Sequence, residues 1–246
     1  MATVSVFAPS EGAAGPLDTV LRLAGAVFSS RNGHPVAIHY GSAAGELSVC
    51  VSAVGLVDRS DLCKLEIETP GDRASTELSS RVAGAELHPG GAVWADGAWW
   101  CGVAPDRILV LADRGTGRRL VERLRIHALH HLVRSVRDRS AELAGIGLLG
   151  PGAGEVLAAV GAYGPSGDPR LTAPFGSRPI AGVDVSWLLE SDRSAVAVVA
   201  RERATDVWRA IELAGRPFGI SCVGQEAAGR YALLERARRR SAVRAA

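Results

Sequence analysis

The residues of this chain best able to do chemistry are few, and most come with a structural alternative. Lys64 is the only lysine, so nearly all of the positive charge is arginine. A phosphate-binding loop ending in Gly-Lys-Ser/Thr is thereby excluded, and a Schiff-base lysine is disfavoured. Cys50, Cys63, Cys101 and Cys222 are scattered and form no Cys-x-x-Cys pair, a usage that fits a reducing cytoplasm better than secretion. His127, His130 and His131 have a helical spacing that could ligate a metal. Arg125 and Arg134 flank them with no acid or cysteine interleaved, so a solvated basic face is expected and no metal site. Asp96 stands before Gly97, the dipeptide of an ordinary hairpin turn. Trp99 and Trp100 are adjacent on a strand candidate, so their side chains must point to opposite faces, one of them to solvent, a ligand or a partner. Glu226 sits at a helix start with Arg230 one turn later, which suits an i,i+4 pair.

The elements that must position these residues belong to a globular protein. Of the 246 residues, 47% are hydrophobic and 22% charged, an ordinary balance for a chain able to bury one large core or two compact ones. A net charge of +2 does not advertise a nucleic-acid partner. No apolar run is long enough to span a membrane, and Met1 to Ser5 does not open a secretory signal. Arg236, Arg238, Arg239, Arg240 and Arg244 crowd the end of the chain. They read as a solvated helix end or as a tail that binds phosphate or polyglutamate.

An internal duplication is visible at an offset of about eighty residues. Asp58-Arg59-Ser60 leads through Leu65-Glu66-Ile67 to Pro70-Gly71 and Leu78, and Asp138-Arg139-Ser140 leads through Ile146-Gly147-Leu148 to Pro151-Gly152 and Leu157. Each copy reads as a strand, a Pro-Gly turn and a helix, Asp72 being placed to cap the first of these helices. Two strand candidates and a second helix follow. In the first copy these are 92–101, 107–112 and 117–126; in the second they are 182–189, 195–200 and 204–214. The expectation is an α+β fold of two βαββα half-domains with antiparallel sheets. The limits are an N-terminal segment 1–50, half-domains 51–135 and 136–235, and a basic tail 236–246. The Gly- and Pro-rich stretch 161–179, with Tyr163 and Phe175, reads as a long loop.

With these motifs in order, the chain resembles the aminomethyltransferase (glycine-cleavage T-protein) superfamily of folate-binding proteins. Pro35-Val36-Ala37-Ile38-His39-Tyr40-Gly41 with Glu46, Gly55-Leu56-Val57-Asp58-Arg59-Ser60, Lys64-Leu65-Glu66-Ile67, Pro70-Gly71-Asp72 and Gly150-Pro151-Gly152-Ala153 are similar to that family's segments. The likeness spans roughly residues 17–235, and the set in this order is far more specific than any one piece. It implies the T-protein folate-binding fold without the C-terminal barrel, because the chain stops where that barrel would begin, as the short gamma subunit of sarcosine oxidase also does.

The resemblance also implies site residues. Folate one-carbon chemistry needs a carboxylate near the pterin N5 and N10. The family carries it in a Gly-Gly-Ile-Ile-Asp-Asp turn, which resembles Gly90-Gly91-Ala92-Val93-Trp94-Ala95-Asp96 here, with Asp96 one or two places late. A one-residue slip along a strand reverses the facing of a side chain, unless a bulge restores it. Asp96 is therefore the candidate catalytic carboxylate, with a plain turn residue as the alternative. Tyr40, Trp100, Glu226 and Arg230 are the candidate cofactor-binding residues, for tetrahydrofolate. Gly219 to Arg230 resembles the Gly-Gln-Glu box of the iron–sulfur-maturation branch, with Ser221 at the place of its cysteine and Cys222 at that of a tyrosine. The family's Tyr-Thr-Gly-Glu motif is replaced by Leu188-Leu189-Glu190-Ser191. The expected function is a cytoplasmic, tetrahydrofolate-binding, aminomethyltransferase-like protein in one-carbon transfer, its partners being folate or a small amine or methyl donor. The alternative is a non-catalytic partner subunit of an amine-oxidising complex, or a folate-sensing accessory protein.

Overall fold

Alternating apolar residues broken by Pro-Gly turns dictate most of the elements. The computed structural model describes residues 3–4, 15–31, 34–129, 131–162 and 173–245. The chain begins with β1 (Thr3–Val4), α1 (Asp18–Leu23), β2 (Val27–Arg31), β3 (His34–His39), α2 (Ala43–Ser52) and β4 (Val54–Asp58). The first copy continues with β5 (Cys63–Glu68), α3 (Asp72–Ala83), β6 (Ala92–Ala95), β7 (Ala98–Ala104), β8 (Arg107–Ala112) and α4 (Arg114–Leu129). The second has β9 (Ser135–Asp138), β10 (Leu143–Leu149), α5 (Ala153–Ala159), β11 (Phe175–Ile180), β12 (Val183–Ser191), β13 (Ser194–Ala200) and α6 (Ala204–Gly215). A short β14 (Ile220–Cys222) and a long helix α7 (Gln225–Ala245) close it.

Each copy holds one strand more than expected. The first strand candidate folds back at Asp96-Gly97, where both residues have positive φ (51° and 79°), the signature of a tight two-residue hairpin turn. The second copy turns in the same way at Ala181-Gly182, with φ of 49° and 74°. Its extra strand, β11, lies within the stretch read as a loop, and Pro179 is tolerated because β11 is an outer strand. Residues 163–172, with Tyr163, lie outside the described residues. The cap of α3 is also corrected: Gly71 is the N-cap, and Asp72 is the first helical residue.

The strands form two six-stranded sheets and a β2-β3 hairpin. The first sheet runs β1-β9-β5-β8-β7-β6 and the second, from its far edge, β14-β4-β10-β13-β12-β11. Position for position the second repeats the first. Both are antiparallel apart from one parallel outer strand, β1 on β9 and β14 on β4. Sheet membership does not follow order along the chain. β4, ahead of the first copy, pairs with β10 of the second, whereas β9, which straddles the limit between 135 and 136, pairs with β5 of the first.

The layers follow from the period-two facing of the strands. One face of the first sheet packs Leu65, Ile67, Trp100 and Val110 against Leu78, Val82, Leu120 and Leu124 of α3 and α4. One face of the second packs Ile146, Leu148, Trp187 and Val199 against α1, α5 and α6. The remaining faces meet through Cys101, Leu109 and Leu111 on one side and Phe175, Leu188, Val196 and Val198 on the other. The result is a four-layered α+β molecule, with α2 and α7 packed over the β4 end of the second sheet through Cys50, Val57, Val223 and Tyr231. The described residues contain no barrel beyond these layers.

Candidate functional site

Three places hold the side chains with chemical potential. The first is the β6–β7 turn. Asp96 occupies the positive-φ position of that turn, its side chain is 52% exposed, and it is ion-paired with Arg123 of α4. It points along the outer helix layer, and the structure does not bring it together with Tyr40 or Glu226. The equivalent turn residue of the second copy is Ala181, so the turn itself has no need of a carboxylate.

The second place is where the duplicated turns cross. Asp58 Oδ1 accepts from the Ser60 N–H at 2.8 Å, and Asp138 Oδ1 accepts from the Ser140 N–H at 2.9 Å. The two turns are then laced together. Arg59 N–H donates to the Gly145 carbonyl (2.9 Å) and Arg139 N–H to the Lys64 carbonyl (2.8 Å). Gly145 N–H donates to Ser60 Oγ (3.2 Å), and Lys64 N–H to Ser140 Oγ (2.9 Å). Lys64 is fully buried, and its ammonium donates to the carbonyls of Ser60 (3.0 Å) and Leu62 (2.8 Å). Burial pushes its pKa down to about 8, against the pull of Asp61 and Asp58. Burial likewise pushes Asp58 up to about 6, against the hydrogen bonds from Ser60.

Tyr40 and the start of α7 pack beside this crossing. The Glu46 carboxylate accepts from the backbone N–H of Tyr40 (2.7 Å) and of Gly224 (2.8 Å), clamping β3 to the entry of α7. Gln225 Nε2 donates to the Asp58 carbonyl at 2.6 Å. Gly224 permits the approach, since a Cβ there would lie 2.1 Å from the Ile38 carbonyl oxygen. The Tyr40 hydroxyl is buried with no hydrogen-bond partner among the described residues. Burial, then Cys222, Asp58 and Glu46, raise its pKa. Cys222 is pushed up to about 11 by burial, then by Glu212 and Glu46, so it stays a thiol at neutral pH rather than a reactive thiolate.

The third place, between the sheets, was passed over by reasoning from the sequence. Glu190 on β12 faces the first sheet. Its Oε1 accepts from the Trp99 indole N–H at 3.0 Å, its Oε2 accepts from the Ser194 hydroxyl at 2.6 Å, and Arg59 approaches to 4.0 Å. Trp94, half exposed, stands edge-on to Trp99 with ring centroids 5.5 Å apart. The signal available was a glutamate within a strand next to the missing Tyr-Thr-Gly-Glu box.

The other expected ligand contacts fall elsewhere. Trp100 is fully buried between the first sheet and its helices, so it has no surface to offer a cofactor. Trp99, on the opposite face, meets Glu190 instead. Glu226 and Arg230 are both exposed on α7, and among the described residues they form no ion pair with each other. His130 lies outside the described residues, and no group of side chains suited to a metal occurs among the described ones. No described helix is long and apolar enough to cross a membrane.

Against this geometry stand two solved structures. Glycine cleavage system aminomethyltransferase T from Bartonella henselae matches with a TM-score of 0.68 at 18% identity, over 86% of this chain and 59% of that one. This chain has the aminomethyltransferase T fold. It spans rather more than half the length of that relative. A chain of the heterotetrameric sarcosine oxidase from Corynebacterium sp. U-96 matches with a TM-score of 0.54 at 19% identity, over 74% of this chain and 95% of that one. No protein-family model matches the sequence, and no curated protein does.

The resemblance implied a carboxylate for the pterin's amino edge and another near N5 and N10. Among the described residues, Glu190 and Asp96 are the carboxylates that bear on that expectation. Glu190 accepts a hydrogen bond at each oxygen, from Trp99 and Ser194, and Asp96 sits in a surface turn paired with Arg123.

Proposed function

We propose that this chain is a non-catalytic subunit, built on the aminomethyltransferase T fold, that assembles with an amine-oxidising partner. The observation that carries the reading is the placement of Asp96, the carboxylate that the chemistry would need, in an exposed hairpin turn tied to Arg123. The near-complete coverage of one chain of a heterotetrameric sarcosine oxidase supports it. The internal use of Glu190 by Trp99 and Ser194 supports it too, because these bonds give that carboxylate a structural role between the sheets.

Calorimetric titration with tetrahydrofolate and with its methyl and methylene forms tests this reading. The expected result is no saturable heat from any of the three. A saturable heat that is lost in Glu190→Gln would overturn it and restore the folate-dependent one-carbon reading, with Glu190 rather than Asp96 as the ligand carboxylate.

A further inference from the structure

The C-terminal helix carries a surface that the rest of the molecule does not use. α7 is 21 residues long, about 31 Å at 1.5 Å per residue. It is anchored through Ala227, Ala228, Tyr231 and Glu235, all buried and recurring at helical spacing. Leu233, on the opposite face, is 63% exposed, and Leu234, about 100° round the helix from it, is 42% exposed at the flank. The exposed Arg230 lies one turn before both, Arg236 one turn after Leu233 and Arg238 one turn after Leu234. From Arg230 to the end there are six arginines and one glutamate, and that glutamate, Glu235, already pairs with Arg238 at 2.8 Å. The segment carries a net charge of +5 in a chain whose total is +2, so the preceding residues together are net negative.

Arginines near a helix C-terminus complement its dipole and explain why the helix persists. They do not explain two neighbouring leucines in water. We propose that this face of α7 is a docking surface for an acidic partner protein. Carboxylates on the partner would pair with the guanidiniums, and apolar groups on either side of Arg230 would receive Leu233 and Leu234. The inference rests on the subunit reading above and names the face through which that subunit binds. Guanidinium forks match carboxylates with two parallel hydrogen bonds. Among the described side chains, the exposed face has two leucines and no aromatic residue, because Tyr231 is turned inward. That is too little apolar surface for a helix lying in a lipid interface. Leucines interspersed among the arginines, in turn, are misplaced for a backbone-phosphate contact.

Fluorescence anisotropy on the full chain tests the proposal. The probe is a labelled amphipathic helical peptide with leucines on one face flanked by glutamates. A scrambled peptide of the same composition, phosphatidylglycerol vesicles and a short DNA duplex serve as comparators. The expected result is saturable binding of the amphipathic peptide, weakened about tenfold by Leu233→Ser with Leu234→Ser, corresponding to about 1.4 kcal/mol. It should weaken at least as much in Arg230→Glu with Arg236→Glu. Leu213→Ser on α6, an equally exposed leucine elsewhere, should change nothing, and circular dichroism should show every variant folded. Equal binding of the scrambled peptide would overturn the proposal, as would tighter binding of the vesicles or the duplex. A heat with tetrahydrofolate would instead sink the subunit reading, while leaving the peptide result to stand or fall by itself.

Discussion

At the scale of single residues, the crossing turns bury charge of both signs, and the two charges titrate in ways that can be told apart. Asp58 is raised from its ordinary 3.8 to about 6, chiefly by burial. Between those values the folded protein holds more protons than the unfolded one. The stability that Asp58 contributes is therefore fully present below about 4 and lost as pH rises through about 6. Lys64 is lowered from 10.5 to about 8, again chiefly by burial. In that window the unfolded chain holds more protons, so stability rises with pH from about 8 toward 10.5. The pair thus gives a shallow trough at neutral pH, where both groups are charged. Asn at position 58 can still accept the Ser60 N–H through its side-chain carbonyl, so Asp58→Asn removes the acid limb. It also takes away one of the two carboxylates that hold Lys64 up, which deepens the alkaline limb. Urea midpoints across pH should show the wild type losing stability relative to Asp58→Asn between pH 4 and 6, while the alkaline rise begins at lower pH in the variant. Parallel profiles for the two proteins below pH 6 would show that Asp58 is not the group responsible.

At the scale of elements, closeness of backbone decides what can be changed. β4 approaches β10 so tightly that a Cβ on Gly145 would lie 2.5 Å from the Arg59 carbonyl oxygen. Gly145→Ala must push the strands apart at the crossing and should lower stability by about 1–3 kcal/mol, read as a lower thermal midpoint. Gly176→Ala on β11, where a Cβ meets nothing within 4 Å, is the matched control and should be close to neutral. The same crossing marks the limit of what the sequence reveals. The duplication was legible because Asp58-Arg59-Ser60 and Asp138-Arg139-Ser140 form matching turns, and the helices because Pro-Gly breaks bound them. Which strand neighbours which was not legible. Period-two alternation reports the face on which a side chain lies, not the chain segment across the hydrogen bonds, so the exchange of β4 and β9 left no pattern. The adjacency of Trp99 and Trp100 required opposite faces, but only packing assigns Trp100 to the helices and Trp99 to Glu190. Asp96 sits in a hairpin turn for a local reason: Asp-Gly already encodes a turn, and the chain uses it as one.

At the scale of the whole molecule, the exchange ties the two sheets into one unit. Each sheet takes an interior strand from the segment that opens the other copy, β9 in the first and β4 in the second. Separating the copies would strip both sheets, break the four hydrogen bonds that lace the turns, and expose the apolar layer of Leu109, Leu111, Leu188, Val196 and Val198. Neither sheet can then hold its native hydrogen bonding while the other is unfolded, and unfolding should be a single cooperative step even in a chain of this length. The five tryptophans report on the sheets separately: Trp94, Trp99 and Trp100 on the first, Trp187 and Trp208 on the second. In one variant Trp187 and Trp208 become Phe, and in another Trp94, Trp99 and Trp100 do. Each variant is less stable than the parent, but the comparison is internal, between its fluorescence and its far-ultraviolet circular dichroism. In both variants the two urea transitions should coincide, because the reporting sheet cannot melt ahead of the whole. A fluorescence transition that precedes the circular-dichroism one in either variant would mean that a sheet unfolds alone, and that the exchanged strands do not couple the halves.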